Sequence, residues 1–234
     1  MSLVLCELAD ASAFGIPSFS PFCLKIHAAL RLAGLPYTRR HASRPDAHKA
    51  LNPTGQVPVL LEEGDQPKVT ADSSAILRRV LALAPGRIAE SPEAWLFEEL
   101  ADTAVNGFLV ASRWADDANW PGTRDAYFSG MPGPVRWIVP GRLRAGVVRG
   151  LVARDVWRAG PEACWQRFEL LLDALDGRAP EAGWWCGAAP SVADVALYGQ
   201  LRSFGTSLTP AQGAAVARRP RLSAWLARVD AAVA

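Results

Sequence analysis

The sequence has no marked excess of either charge and little cysteine. Its 234 residues include 25 Lys and Arg and 23 Asp and Glu, a formal net charge of +2, and the charges are interspersed along the chain. So small an excess does not predict a nucleic-acid partner. The four cysteines lie far apart, so their spacing indicates neither a disulfide framework nor a zinc site and favours a reducing compartment.

Long apolar runs are also missing. No segment approaches the roughly 20 apolar residues that are needed to cross a bilayer. The N-terminal stretch MSLVLCELADASA contains only a short apolar run, carries Glu7 and Asp10, and has no basic start, so it predicts a buried strand rather than a signal peptide. We therefore expect a soluble cytoplasmic protein without a membrane partner. A chain that is 50% apolar is ample for a packed core.

Histidine is scarce as well. The three histidines are His27, His41 and His48, and their spacing is not that of a metal site. We expect them to be ordinary surface or helix residues, and we expect no bound metal.

Strand and helix patterns alternate through the first 85 residues. Apolar runs bounded by turn residues predict four strands, and periodic apolar stretches predict three helices. The strands are expected at 3–8, 36–42, 57–63 and 67–71, and the helices at 20–33, 46–52 and 72–84. Gly64 and Asp65 form the predicted turn of a hairpin. The order β-α-β-α-β-β-α is typical of a small α/β domain with a mixed sheet.

The strand patterns stop after a linker near residues 85–92. Helices are predicted at 93–118, 162–176, 191–204 and 221–233. Gly and Pro interrupt the region 121–161 so often that it shows no regular pattern. The sequence thus predicts two domains, an α/β domain at residues 1–85 and an all-α domain at residues 92–234.

The stretch SFSPFCLKIHAALRLAGLPY, residues 18–37, raises the first functional question. It places Ser20, Pro21 and Cys23 where a helix begins. Three interpretations are open. Ser20 caps the helix, with Pro21 in its first turn; or Cys23 is what remains of a redox dithiol; or the helix start stabilises the thiol of a bound molecule.

Two further stretches combine structural and binding signals. In NPTGQVPVL, residues 52–60, Pro58 either enters an edge strand from a loop or follows a cis bond that leaves the backbone of Val57 free to pair with an extended peptide. In ADSSAIL, residues 71–77, Asp72 and Ser73 precede an apolar helix. They either cap that helix or form a seat for a ligand carboxylate and ammonium group.

These stretches, in this order, resemble the glutathione transferase superfamily over nearly the whole chain. The Ser-Pro-Phe helix start is similar to that of the serine-type, tau-like transferases, and Ser191 and Asp194 in PSVADVALYGQL match the family's buried capping box. The resemblance implies a thioredoxin-like domain that binds glutathione as co-substrate and a helical domain that holds a small electrophilic or apolar acceptor. It also implies a homodimer and a role in detoxification.

Carried over residue by residue, the resemblance implies a role for each predicted binding residue. Val57 would pair backbone to backbone with the cysteinyl part of glutathione, beside a cis Pro58. Asp72 and Ser73 would hold the γ-glutamyl end. Gln56 lies where the family often has a basic or amide residue near the glycyl end.

Ser20 occupies the position of the catalytic serine of these transferases. In this interpretation its hydroxyl donates to the glutathione sulfur and lowers the thiol pKa, so Ser20 stabilises the nucleophile without being the nucleophile. A glutathione-dependent thiol oxidoreductase that uses Cys23 is an alternative. The sequence keeps only the second cysteine of that dithiol pattern, which is normally the less accessible one.

A non-catalytic binding or scaffold protein of the metaxin-like branch is the other alternative. Asp72 is one methylene shorter than the Glu or Gln usual in many catalytic transferases, and the Asp-Ser pair with the SPFCLK helix start also resembles the metaxins. The stretch NPTGQVP favours the enzymes instead, because it keeps the cysteinyl-binding turn.

The C-terminal half leaves the acceptor unidentified. Trp114 and Trp120 belong to the core or line an apolar pocket, as aromatic residues do in small-molecule sites. A group of six arginines opposes a single acid, Asp155, and forms a solvated helix surface, an anion site or a dimer contact. Its members are Arg136, Arg142, Arg144, Arg149, Arg154 and Arg158.

Overall fold

A four-stranded mixed sheet forms the first part of the protein. The computed structural model describes residues 2–42, 47–154 and 156–234. The strands are β1 (Ser2–Leu8), β2 (Tyr37–Ala42), β3 (Val59–Glu63) and β4 (Lys68–Ala71). They lie in the order β2-β1-β3-β4, in which only the β1–β2 pair is parallel.

Two helices cover one face of this sheet, α1 (Pro21–Leu32) and α2 (Ser73–Leu83). Alternate residues of β1 point to opposite faces, so Leu5 joins the core beneath these helices, together with Ile26 and Ile76. Val4 and Cys6 pack in a smaller apolar cluster on the other face. Strand β1 is therefore buried on both sides, as its continuous apolar run predicts.

The second part of the described chain is helical. Helix α3 (Pro92–Leu100), a π-helical turn (Ala101–Val105), α4 (Asn106–Val110) and a second π-helical turn (Ala111–Ala115) follow one another without a break. The remaining helices are α5 (Trp120–Phe128), α6 (Gly133–Ala153), α7 (Gly160–Arg178), α8 (Val192–Arg202), α9 (Pro210–Ala217) and α10 (Pro220–Val233). The predicted fold class, an α/β domain followed by an all-α domain, is confirmed.

The predicted helix at 46–52 is wrong where the structure describes it, and its first residue lies outside the described residues. Residues 47–51 form hydrogen-bonded turns, in which the N–H of Asn52 donates to the carbonyl of His48. The Asn52 side chain then donates to the carbonyl of Gln56 at 2.9 Å. So short a segment gains too few helical hydrogen bonds to offset nucleation, and the side chain of Asn52 closes a loop instead.

The region 121–161 contains more helix than its pattern indicates, since α5 and α6 occupy much of it. Pro140 lies inside α6, a position that costs about 3 kcal/mol in an isolated helix. Pro140 is buried, so packing against the rest of the protein offsets that cost. Helix α9 lies where the sequence pattern predicts no helix. No helix in the described part of the chain is both long and apolar enough to cross a membrane.

The two parts of the chain meet where α1 packs against α8. The helices approach so closely at Gly199 that a Cβ there would come within 2.6 Å of the Pro21 carbonyl oxygen. Helix α8 begins at the predicted capping box, in which the Asp194 carboxylate accepts from the Ser191 N–H at 2.9 Å. Asp194 also accepts from the Trp225 indole at 2.8 Å, so the structural role expected for the capping box is confirmed.

Charge is buried between the two parts as well. Lys25 of α1 is fully buried, and its Nζ lies 2.6 Å from Glu98 Oε1 and 2.6 Å from Asp102 Oδ2. The hydroxyl of Ser74, on α2, donates to Glu98. Burial raises the pKa of Asp102, although the Lys25 ammonium acts against that rise. One ammonium group therefore joins α1, α2 and the helix that begins at Pro92.

Replacing Lys25 with methionine should destabilise the protein by about 3–5 kcal/mol, because two buried carboxylates lose their cation. Urea unfolding followed by circular dichroism measures the loss. Lys49→Met is a matched control at an exposed lysine and should change stability by less than about 0.5 kcal/mol. Adding Glu98→Gln and Asp102→Asn to Lys25→Met should restore part of the stability. A loss equal to that of the control would contradict this account of the interface.

Candidate functional site

A cleft of about 310 Å³ lies beside the N-terminus of α2. It brings together all five residues that the sequence predicts to bind a ligand. The lining residues are Phe22, Asn52, Thr54, Gln56, Val57, Pro58, Ala71, Asp72 and Ser73.

One wall of the cleft is the segment that precedes β3. The Val57–Pro58 peptide bond is cis, as predicted. Val57 is half-buried, and its backbone makes no hydrogen bond to another described residue. The Asn52 side chain fixes the loop before it by donating to the Gln56 carbonyl. This wall therefore offers an unpaired backbone N–H and C=O to a ligand.

The opposite wall is the N-terminus of α2, where Asp72 is the N-cap. Its Oδ1 accepts from the N–H of Ser74 and of Ala75, each at 3.0 Å, whereas Oδ2 has no partner among the described residues. Ser73 is 6% exposed, and its hydroxyl likewise bonds to no described residue. A carboxylate oxygen and a hydroxyl thus remain available beside the positive end of a helix dipole.

The backbone of Asp72 adopts an unusual conformation. Its φ of 77° makes it the one non-glycine residue with positive φ in the described part of the chain. Such a conformation costs of order 1–3 kcal/mol in a residue with a Cβ, and strained residues of this kind cluster at functional sites.

Ser20 does not line this cleft, although Phe22 from the same turn of α1 does. Ser20 is the N-cap of α1, and its Oγ accepts from the Cys23 N–H at 3.3 Å. The capping interpretation of Ser20 is therefore confirmed. The Ser20 hydroxyl also hydrogen-bonds the Cys23 thiol, so a ligand at this helix start would compete with that thiol for the hydroxyl hydrogen.

Cys23 is poorly suited to redox chemistry. Its side chain is fully buried, and burial raises the pKa of the thiol to about 12. A reactive cysteine needs an accessible thiolate. The structure thus favours the interpretation of Cys23 as a small core residue.

Aromatic side chains from the helical part cluster beside the segment that carries Ser20. The ring of Phe19 stacks on Tyr127 with 4.7 Å between centroids. Trp114 contacts both Tyr127 and Trp120, with centroids 5.6 Å apart in each pair. Trp114 and Trp120 are only partly buried. This cluster, which comes in part from the region without a regular pattern, lies beside the start of α1 through Phe19.

The sequence did not reveal a second polar group, which surrounds the buried carboxylate of Glu7. Glu7 lies 3.1 Å from His27 Nε2 and 2.5 Å from Arg39 Nε, and His27 Nδ1 lies 2.6 Å from the Tyr37 hydroxyl. Burial acts to raise the pKa of Glu7, but the hydrogen bonds from His27 and Arg39 hold it below its ordinary value. Glu7 is therefore a buried anion at the centre of the group.

The sequence predicts that the three histidines are surface or helix residues, and His48 is neither. His41 is exposed, and His27 lies on α1 but is buried. His48 is also buried and lies in a turn, where its Nε2 is 3.1 Å from the Glu7 carbonyl oxygen. Both buried rings are held by Glu7, which is distant in sequence, so spacing along the chain does not indicate their role.

Comparison with known families gives two matches. The family model for the glutathione S-transferase N-terminal domain matches residues 19–82, and the model for the glutathione S-transferase C-terminal domain matches residues 152–228. Together they cover more than half of the chain.

One relative by sequence and two by structure extend this comparison. Metaxin-3 from Xenopus laevis is 26% identical over 204 residues, which is 81% of this chain but only 63% of metaxin-3, so the chain spans less than two thirds of that relative. A glutathione transferase family member from Pseudomonas fluorescens Pf-5, with two glutathione molecules bound, superimposes with a TM-score of 0.63 at 17% identity, over 99% of this chain and 92% of that one. FzlA from C. crescentus superimposes with a TM-score of 0.61 at 18% identity, over 98% of this chain and 88% of FzlA. At these identities the structural matches establish the fold alone.

Replacing Glu7 with glutamine should destabilise the protein at neutral pH by about 1–3 kcal/mol, because a buried charged acceptor is lost. The depressed pKa means that the ionised carboxylate contributes stability above its ordinary pKa of 4.5, and that this contribution disappears as the pH falls through the lower folded value. The difference between wild type and variant should therefore narrow below about pH 4.5. Urea unfolding over a pH series tests this, with Glu63→Gln at a half-exposed ion pair as the control. A difference independent of pH would contradict it.

Proposed function

Because the chain belongs to the glutathione transferase superfamily, we propose that it binds glutathione and transfers the glutathione thiolate to a small electrophilic acceptor. Residues 1–85 would bind glutathione, and residues 92–234 would hold the acceptor. The proposal rests mainly on the cleft, where the unpaired backbone of Val57 and the free polar atoms of Asp72 and Ser73 face one space.

The groups in the cleft match those of glutathione at its γ-glutamyl and cysteinyl parts. An extended peptide pairs with the free N–H and C=O of Val57 as one strand pairs with another. The ligand ammonium pairs with the unpartnered Oδ2 of Asp72. The adjacent carboxylate accepts from the Ser73 hydroxyl and is stabilised by the N-terminus of α2. Gln56, which is exposed at the rim, contacts the glycyl end.

Thiolate formation is assigned to the start of α1. The Ser20 hydroxyl donates its hydrogen to the glutathione sulfur in place of the Cys23 thiol, and the helix dipole favours the negative charge. The thiol proton leaves to solvent, and the sulfur forms a bond to an electrophilic carbon of the acceptor. The leaving group, or the π-bond of an unsaturated acceptor, takes the displaced electron pair. The aromatic cluster next to Phe19 supports an apolar acceptor.

A non-catalytic binding or scaffold role is the second candidate. It is favoured by the similarity to metaxin-3 and by Asp72 in place of a longer acidic or amide side chain. It uses the same fold without a reaction at Ser20. The oxidoreductase that uses Cys23 is disfavoured, because that thiol is buried and its pKa is about 12. As part of the transferase proposal, we also propose that the protein is a cytoplasmic homodimer with a role in detoxification.

Titration calorimetry with glutathione tests the cleft. Ser73→Ala should weaken binding by about 1–3 kcal/mol, since the ligand carboxylate loses a donor. Asp72→Asn should weaken it by a similar amount while leaving helix α2 capped, because asparagine caps as well as aspartate. Asp65→Asn, in the exposed hairpin turn, is the matched control and should bind like wild type. If the unmutated protein binds no glutathione at millimolar concentration, the scaffold role replaces the transferase.

A second experiment separates the cap from the catalyst at Ser20. As a cap, Ser20→Ala should cost roughly 1 kcal/mol of stability. As a thiolate stabiliser, it should also raise the pKa of bound glutathione by about 1 to 2, because a donor to the charged form is lost. Ultraviolet absorbance of the thiolate over a pH series measures that pKa. Turnover should fall at neutral pH and recover as the pH rises. An unchanged thiol pKa would reduce Ser20 to a helix cap.

A further inference from the structure

Arg113 is a buried cation without an acidic partner. Its side chain lies in a residue that is only 3% exposed. Two other Lys or Arg residues are buried in the described part of the chain, Lys25 and Arg219, and each of them pairs with two carboxylates. Every hydrogen bond that Arg113 makes to a described residue goes instead to a neutral oxygen. A buried charge is costly unless it is paired, so the missing anion requires an explanation.

The contacts of the Arg113 guanidinium supply only part of the missing charge. Nη1 donates to the Phe19 carbonyl at 2.6 Å and to the Tyr127 hydroxyl at 3.1 Å, and Nη2 donates to the Ser203 carbonyl at 2.9 Å. Ser203 is the C-cap of α8, and a helix C-terminus carries roughly half a negative charge. The Nε atom is buried and makes no hydrogen bond to a described residue. A positive charge therefore remains unbalanced inside the protein.

This charge lies next to the start of α1. The Phe19 carbonyl belongs to the peptide unit that leads into Ser20, the N-cap of that helix. Covalent geometry then limits the distance from the Arg113 Nη1 to the Ser20 Oγ to about 8 Å. Arg113 itself lies in the π-helical turn Ala111–Ala115, and such turns are rare and frequent at functional sites.

We propose that Arg113 supplies the positive charge that balances the thiolate of glutathione at the start of α1. This inference rests on the proposed function and assigns it a further residue. Arg113 is a positioning residue, because it acts through the Phe19 carbonyl and its field without touching the sulfur. Solvent and salt screen a buried charge little. The acceptor is a less suitable source of the anion, since Trp114 and Tyr127 border an apolar space.

A pH titration of bound glutathione, followed by the ultraviolet absorbance of its thiolate, tests the charge of Arg113. Arg113→Gln should raise the pKa of the bound thiol by about 1, which lowers the thiolate fraction at neutral pH up to about tenfold. Arg113→Lys keeps the charge but loses the planar fork that holds two carbonyls. It should therefore lower the urea midpoint while moving the thiol pKa less than half as much.

Arg228→Gln is the matched control. Arg228 on α10 also donates to two backbone carbonyls, those of Pro180 and Glu181, and its Nε is likewise buried without a partner. The control should lower the urea midpoint and leave the thiol pKa unchanged. A rise in thiol pKa that is no larger in Arg113→Gln than in Arg228→Gln would overturn the proposal, and Arg113 would then only tie the Phe19 segment to α8. An equal rise in Arg113→Gln and Arg113→Lys would also overturn it, because charge would not be the cause.

The wild-type protein offers a second measurement that does not depend on the folding of a variant. S-methylglutathione keeps the peptide but has no ionisable thiol. The ratio of the glutathione affinity to the S-methylglutathione affinity should rise about tenfold or more as the pH rises through the pKa of the bound thiol. A ratio independent of pH would overturn the role of Arg113 and leave the binding cleft standing. Failure of both compounds to bind would remove the transferase proposal and this role together.

Discussion

The ammonium group of Lys25 holds together the parts from which the candidate site is built. It is fully buried, and its carboxylate partners Glu98 and Asp102 belong to the helical part of the chain. A buried charge that loses its partner costs several kcal/mol, so the helices on both sides are confined to one arrangement. Lys25 lies on the helix that Ser20 caps, and Ser74, which donates to Glu98, directly follows Ser73. The starts of α1 and α2 are thus positioned by one network.

Local signals made most of the fold and the cleft predictable. Ser20 and Pro21 start α1, and Gly34, with a φ of 67°, ends it, because caps depend on a few neighbouring residues. The same holds for the cleft, whose walls come from two short motifs, Val57–Pro58 and Asp72–Ser73. Each motif was ambiguous alone between a structural and a binding role. The structure narrows that ambiguity by placing both motifs around one space.

The features that the sequence did not show depend on residues far apart in it. His27 lies 20 positions from Glu7, and Lys25 lies 73 positions from Glu98. Only the packing of α1 on the sheet and on α3 brings these groups together. The prediction of a helix at 46–52 was wrong for a local reason. Its described residues form backbone turns at His48, and the Asn52 side chain then closes the loop up to Gln56. A sequence pattern reflects average conformational preferences. The contacts of Glu7 and Lys25 and the fold of residues 47–52 depend instead on individual hydrogen bonds.

Asp72 is the residue at which cap and binding site meet most closely. Glycine would adopt its positive φ without strain but would lose the bonds to the Ser74 and Ala75 N–H groups. Asparagine would keep those bonds and tolerates positive φ, so capping does not require a charge at this position. What aspartate adds is a negative oxygen, Oδ2, which the described residues leave unpaired at the edge of the cleft. A carboxylate in a strained backbone, with one oxygen used and one free, is placed to meet a cation that the chain itself does not supply.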